Sequence, residues 1–171
     1  RRLTNLSTGK LGSELADHLV EQGHTVLLLK GASSTYRATS RATEVFPFDT
    51  SLDLERQLRS LVGRKIGAVF HAAAVSDFRF GKIWARSSIG KLQELKPGKL
   101  TSRKGTLLAE LVPTPKLITQ LKCWFPEAWL VGWKYEVDGD RARAIASARR
   151  QIAESRTNAC VVNGPAYGKG F

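Results

Sequence analysis

Residues 10–30 read KLGSELADHLVEQGHTVLLLK, and this stretch decides the fold. Leu11, Leu15 and Leu19 recur every fourth position with Ala16 and Val20 beside them, which predicts a helix over 10–22. Ser7 and Thr8 offer capping hydroxyls before it, and Gly23 ends it. The run Thr25-Val26-Leu27-Leu28-Leu29 is apolar on both faces, as in a parallel strand covered by helices. A helix followed by a buried strand implies a parallel α/β sheet.

The rest of the chain repeats this alternation. Glu44-Val45-Phe46 reads as a short strand limited by Pro47, and 51–62 as a helix on Leu52, Leu54, Leu58 and Leu61. Residues 68–74 form the next strand. A further strand is expected over 106–112, then a helix over 116–124 capped by Thr114 with Pro115 at its first position. Trp129–Trp133 is a strand, 141–155 a helix with Ala142, Ile145, Ala148 and Ile152 on its inner face, and 159–163 the last strand. The expected architecture is a Rossmann-like, three-layer α/β fold: an open, mostly parallel sheet with helices on both faces. Residues 1–171 form one domain, with the basic stretch 79–105 a flap or excursion within it.

Composition sets limits. The 171 residues are 42% hydrophobic and 25% charged, an ordinary globular mix that excludes disordered and collagenous chains. No apolar run approaches the roughly 18 residues of a membrane span, so no membrane role is expected. The chain opens Arg1-Arg2-Leu3 and has no Met. We read it as incomplete, with the native N-terminus, the strand feeding the first helix and any omitted Met positions absent. Cys123 and Cys160 are far apart and outside any CxxC, which points to a reduced, cytoplasmic setting. Neither forms metal-ligand spacing with His18, His24 or His71, and no protein metal site is expected.

The net charge is +12, which suits anionic partners. Arg79, Lys82, Arg86, Lys91, Lys96, Lys99, Arg103 and Lys104 face one acid, Glu94, within 79–105. The stretch is either a solvated surface or a lysine-bearing flap over a phosphoryl group. No nucleic-acid signature accompanies it, so nucleic acid is not the expected partner.

Parallel sheets bind ligands beyond the carboxyl ends of their strands. Those ends are Ala73–Asp77, Trp133–Glu136 and Asn163–Pro165. Thr4-Asn5-Leu6-Ser7-Thr8-Gly9-Lys10 leads into a helix N-terminus, either a phosphate or carboxylate seat or an ordinary cap. Ala72-Ala73-Ala74-Val75-Ser76-Asp77 lets a ligand lie against backbone, with Asp77 accepting from a ribose or base, or else serves tight packing. Trp133 could stack a base and Lys134 meet a phosphate, or both could be plain surface residues.

Together these motifs resemble the phosphopantothenoylcysteine synthetase family, which includes the C-terminal domain of the DNA/pantothenate metabolism flavoproteins. The family pattern Arg-x-x-[Ser/Thr]-Asn-x-[Ser/Thr]-[Ser/Thr]-Gly-Lys is matched from Arg1 to Lys10, and its Ala-Ala-Ala-Val-x-Asp segment by Ala72–Asp77. Lys99-Leu100-Thr101-Ser102 resembles its Lys-Ile-x-Ser flap, Pro113–Lys116 its helix start, Val131–Glu136 its Val-Gly-Phe strand end, and Val162-Asn163 its Ala-Asn.

The resemblance implies a nucleotide-dependent ligase. The phosphopantothenate carboxylate attacks the α-phosphate of CTP or ATP with Mg²⁺ assisting, pyrophosphate leaves, and cysteine's amine converts the acyl nucleotide to an amide. It implies Asn5 and Lys99 as catalytic residues, Arg1, Ala73 and Ala74 at phosphopantothenate, and Asp77, Trp133 and Asn163 at the nucleotide; Lys134, on the same strand end, joins the nucleotide set by its charge. It also implies a homodimer, a decarboxylase partner fused or separate, and no flavin in this domain. Two departures stand out. Gln151 and Ser155 occupy the positions of two family lysines, with Arg149, Arg150 and Arg156 nearby, and Val137 follows Glu136 where the family has Thr. An NAD(P)-dependent reductase is the alternative, but no Tyr-x-x-x-Lys pair exists. A non-catalytic nucleotide- or RNA-binding relative is the other.

Overall fold

The computed structural model describes residues 7–96, 98 and 105–168. The elements in order are α1 (Lys10–Glu21), β1 (Leu27–Gly31), β2 (Glu44–Phe48), α2 (Ser51–Ser60), β3 (Ala68–His71), β4 (Phe78–Arg86), β5 (Leu92–Glu94), β6 (Leu107–Pro113), α3 (Leu121–Trp124), β7 (Trp129–Tyr135), α4 (Arg141–Ser155) and β8 (Ala159–Asn163). A 3-10 turn, Leu117–Thr119, precedes α3, and another, Pro165–Tyr167, follows β8. The chain forms two compact units, one over Ala74–Pro115 and one over Ser7–Ala73 with 116–168.

The larger unit is the expected parallel α/β arrangement. β1 pairs with β2 in parallel, and β7 lies between β3 and β8, parallel to both. Its core gathers on β7, α4, α2 and the α3 region: Leu130, Leu121, Ala144, Leu54, Leu117, Ala148 and Phe125 are all at most 5% exposed. Each buried leucine contributes roughly 1.5–3 kcal/mol relative to exposure.

Local chemistry explains where the elements depart from the sequence reading. Gly9, not a hydroxyl residue, is the N-cap of α1, with φ of 74°; Thr8 Oγ1 accepts instead from the Lys10 N–H at 3.2 Å. Pro47 does not limit β2 but lies within it. Glu44 N–H and Phe48 C=O bond toward the β1 side, so the odd residues face the other edge and Pro47 removes no ladder bond. Thr114 does not cap a helix. Its hydroxyl donates to the Ser76 carbonyl at 2.5 Å and its N–H to the Asp77 carbonyl at 2.8 Å. Lys116 is extended, and only a 3-10 turn and the single helical turn of α3 follow.

α4 has the expected bounds, with Asp140 accepting from Arg143 N–H at 2.9 Å. Its inner face is rotated from the expected one, since Ala144, Ala148 and Ser155 are buried while Ile145 is 41% exposed. Arg156 closes the helix in the left-handed conformation, φ 53°.

The smaller unit is an antiparallel sheet in the order β5-β4-β6, with a register irregularity between Phe80 and Ile83. The stretch read as an excursion thus contains two strands. Lys82 Nζ pairs with Glu94 at 3.0 Å, and the Lys82 N–H donates to Glu110 at 3.0 Å.

Candidate site at the carboxyl ends of β3, β7 and β8

The β7–β8 register places Tyr135 beside Asn163, so both strands end together and bring Trp133, Lys134, Glu136 and Asn163 to one end of the sheet, with Trp133 and Asn163 on the face opposite Lys134. The Glu136 N–H donates to the Asn163 carbonyl at 3.0 Å, continuing the ladder past both strands. Gly164 follows with φ of 135°, and a Cβ there would overlap the Glu136 carbonyl. The close approach of the two strand ends therefore requires glycine.

Glu136 is fixed from two sides. Its Oε1 accepts from Ser147 Oγ of α4 at 2.6 Å and lies 3.4 Å from Lys134 Nζ. The Ser147 hydrogen bond, helped by Lys134 and Arg143, holds its carboxyl below the usual carboxylate range against some desolvation. A carboxylate and an ammonium therefore stand side by side at the strand end.

Trp133 and Asn163 are half-buried, and each carries a buried polar atom without a hydrogen-bond partner among the described residues: Trp133 Nε1 and Asn163 Oδ1. Buried unpaired polar atoms are uncommon, and each calls for an explanation. His71 closes β3. Burial of its ring pushes its pKa down to about 4, so the imidazole is neutral near pH 7. Burial likewise pushes the Cys160 thiol up.

Ala73 is half-buried just beyond β3. Ala74 and Asp77 are exposed and belong to the smaller unit, where the Asp77 carbonyl receives the Thr114 N–H. Arg1, Asn5 and Lys99 lie outside the described residues. At the α1 N-terminus, Ser34 Oγ donates to the Thr8 carbonyl at 2.5 Å, and the Tyr36 N–H donates to it at 2.9 Å.

Sequence reasoning missed Glu136 as a fixed carboxylate, its tether Ser147 and the constraint at Gly164. A Gly directly after the last strand was the one visible signal. Among the described residues no three His, Cys, Asp or Glu side chains converge on a possible metal position, and no helix is long and apolar enough to cross a membrane.

The class is that of Rossmann-like α/β proteins with a parallel sheet, a fold in which ligands lie beyond the carboxyl ends of the strands. The chain belongs to the family of the DNA/pantothenate metabolism flavoprotein C-terminal domain, whose model matches residues 1–171. It is 32% identical over 164 residues to the coenzyme A biosynthesis bifunctional protein CoaBC of Thermococcus kodakarensis, covering 95% of this chain and 37% of that relative's length. The fold is that of the DNA/pantothenate metabolism flavoprotein from Streptococcus pneumoniae (TM-score 0.85, 22% identity, 99% of this chain and 77% of that one). It also resembles a Cab2 mutant in complex with phosphopantothenate-cysteine (TM-score 0.69, 18% identity, 96% of this chain and 67% of that one).

Proposed function

We propose that the chain is the phosphopantothenate–cysteine ligase part of a coenzyme A biosynthesis protein. The observation that carries this reading is the family match over the full 171 residues. The relative bound to phosphopantothenate-cysteine agrees with the substrates.

The carboxylate of phosphopantothenate attacks the α-phosphorus of CTP or ATP, and pyrophosphate departs. The amine of cysteine attacks the acyl carbon, and the nucleoside monophosphate leaves with the former carboxylate oxygen. No nucleophilic side chain is needed. The work is to hold two anions together and stabilise charge at phosphorus, which basic groups and backbone N–H groups do. Asn5 and Lys99 are assigned to catalysis, Lys99 stabilising the first step. Arg1, Ala73 and Ala74 take phosphopantothenate. Asp77, Trp133, Lys134 and Asn163 take the nucleotide. Mg²⁺ needs few protein ligands when phosphates supply the rest, so it arrives on the nucleotide.

The whole is read as one domain acting as a cytoplasmic homodimer, with 79–105 as its flap and a decarboxylase as its fused or separate partner. The flavin belongs to that partner.

The test is pyrophosphate release by the full-length protein with phosphopantothenate, Mg²⁺ and either CTP or ATP, with and without cysteine. Release that requires phosphopantothenate, and amide product only with cysteine, is the expected result. A folded protein that releases none with either nucleotide overturns the reading.

A further inference from the structure

Gln151 occupies one of the two positions where the family carries lysine, yet here it turns toward the sheet. Its Nε2 lies 3.4 Å from the Trp133 carbonyl on β7 and 3.5 Å from Cys160 Sγ on β8. It occupies the space Gly132 leaves, since a Cβ there would stand 2.6 Å from Nε2 and 2.9 Å from Ile118 Cδ1. His71, Gly132 and Cys160 lie in one row across β3, β7 and β8, so their side-chain positions share the face that meets Gln151. Burial keeps both His71 and Cys160 uncharged. A neutral amide suits that row.

The β3–β7 ladder stops one rung early at this point. Odd residues of β7 bond toward β3, as the Trp129 N–H does to the Gly67 carbonyl at 2.9 Å. Pairing ends at His71 beside Gly132. The next rung would be the Ala73 N–H to the Trp133 carbonyl. That rung is not made, and the Ala72 N–H turns back to the Phe70 carbonyl at 3.2 Å. Among the described residues the Ala73 N–H has no partner, while the Trp133 carbonyl is taken by Gln151.

We propose that Gln151 is a positioning residue that substitutes for the missing rung: it holds the end of β7 through the Trp133 carbonyl and thereby leaves the Ala73 N–H open for an anionic oxygen of the substrate. The substrate half rests on the ligase reading, and the backbone half does not.

The test uses Gln151→Met, which keeps the size and removes the donor, and Gln151→Glu, which keeps the shape. Amide hydrogen exchange at Ala73 is read first, in protein confirmed folded by its melting curve. With Gln151 gone, the Trp133 carbonyl is free to take the Ala73 N–H, and exchange there slows tenfold or more. Unchanged exchange at Ala73 in whichever variant folds overturns the proposal. Steady-state pyrophosphate release is read second. The expected result is a KM for phosphopantothenate raised about tenfold with kcat within twofold. A full-length wild-type protein that releases no pyrophosphate while Ala73 exchange responds as expected sinks the ligase reading and leaves the backbone device standing. An active wild type with a variant KM that is unchanged overturns the substrate half of the proposal.

Discussion

The Glu136 carbonyl and the Gly164 Cα pack so closely that no side chain fits between them, and this contact fixes how β7 and β8 end together. Gly164 is also in a conformation, φ 135°, that side-chain-bearing residues rarely adopt. Gly164→Ala should cost more than about 2 kcal/mol, because backbone strain and backbone overlap add. A thermal melt of the variant checks this. Gly63→Ala is the control: it carries the φ strain, 92°, with open space around its Cβ position, and should cost less.

His71 makes stability depend on acid. Its folded-state pKa, about 4, lies below the unfolded value of about 6.5, so the unfolded chain takes up its proton first. The stabilisation from keeping the ring neutral is complete above pH 6.5. It is lost as pH falls from 6.5 toward 4, and levels off below. The loss is at most about 3.5 kcal/mol at roughly 1.4 kcal/mol per pKa unit. Denaturant melts from pH 8 to 4 should show this slope in the wild type and a smaller one in His71→Asn.

Much of the fold was legible because the helices announce themselves. The leucine spacing marked α1, and the bounds of α4 and β8 were read correctly from periodicity and breakers. What sequence could not supply was relative orientation. The inner face of α4 depends on where β7 and β8 lie, so the Ala144, Ala148 and Ser155 row displaced the more apolar row through Ile145. β4 was hidden by its charges, since Arg79, Lys82 and Arg86 on an antiparallel sheet look like a polar loop. At the candidate site, Trp133, Lys134 and Asn163 were found as strand-end residues. Ser147 was not, and Gln151 stood out only as a departure from the family lysines, because the contacts of both come from the strands beneath them.

Thr50 and Asp53 form a reciprocal cap on α2. Asp53 N–H donates to Thr50 Oγ1 at 3.1 Å, and Thr50 N–H to Asp53 Oδ2 at 3.0 Å. Thr50→Ala should destabilise by about 1 kcal/mol. Equilibrium denaturation gives the value.

Arg156 ends α4 in the left-handed region that glycine fills without strain. Arg156→Gly should raise stability by about 0.5–1 kcal/mol, read as a higher melting temperature. A lowered melting temperature would mean that the Arg156 side chain contributes more than its backbone costs.

The most direct measurement follows one oxygen atom. Phosphopantothenate labelled with ¹⁸O in its carboxylate is turned over with CTP or ATP and cysteine, and the nucleotide products are weighed by mass spectrometry. Attack by the carboxylate on the α-phosphorus predicts a nucleoside monophosphate carrying one ¹⁸O, formed in step with the amide. Unlabelled monophosphate, or a nucleoside diphosphate as the nucleotide product, would contradict the acyl-nucleotide account.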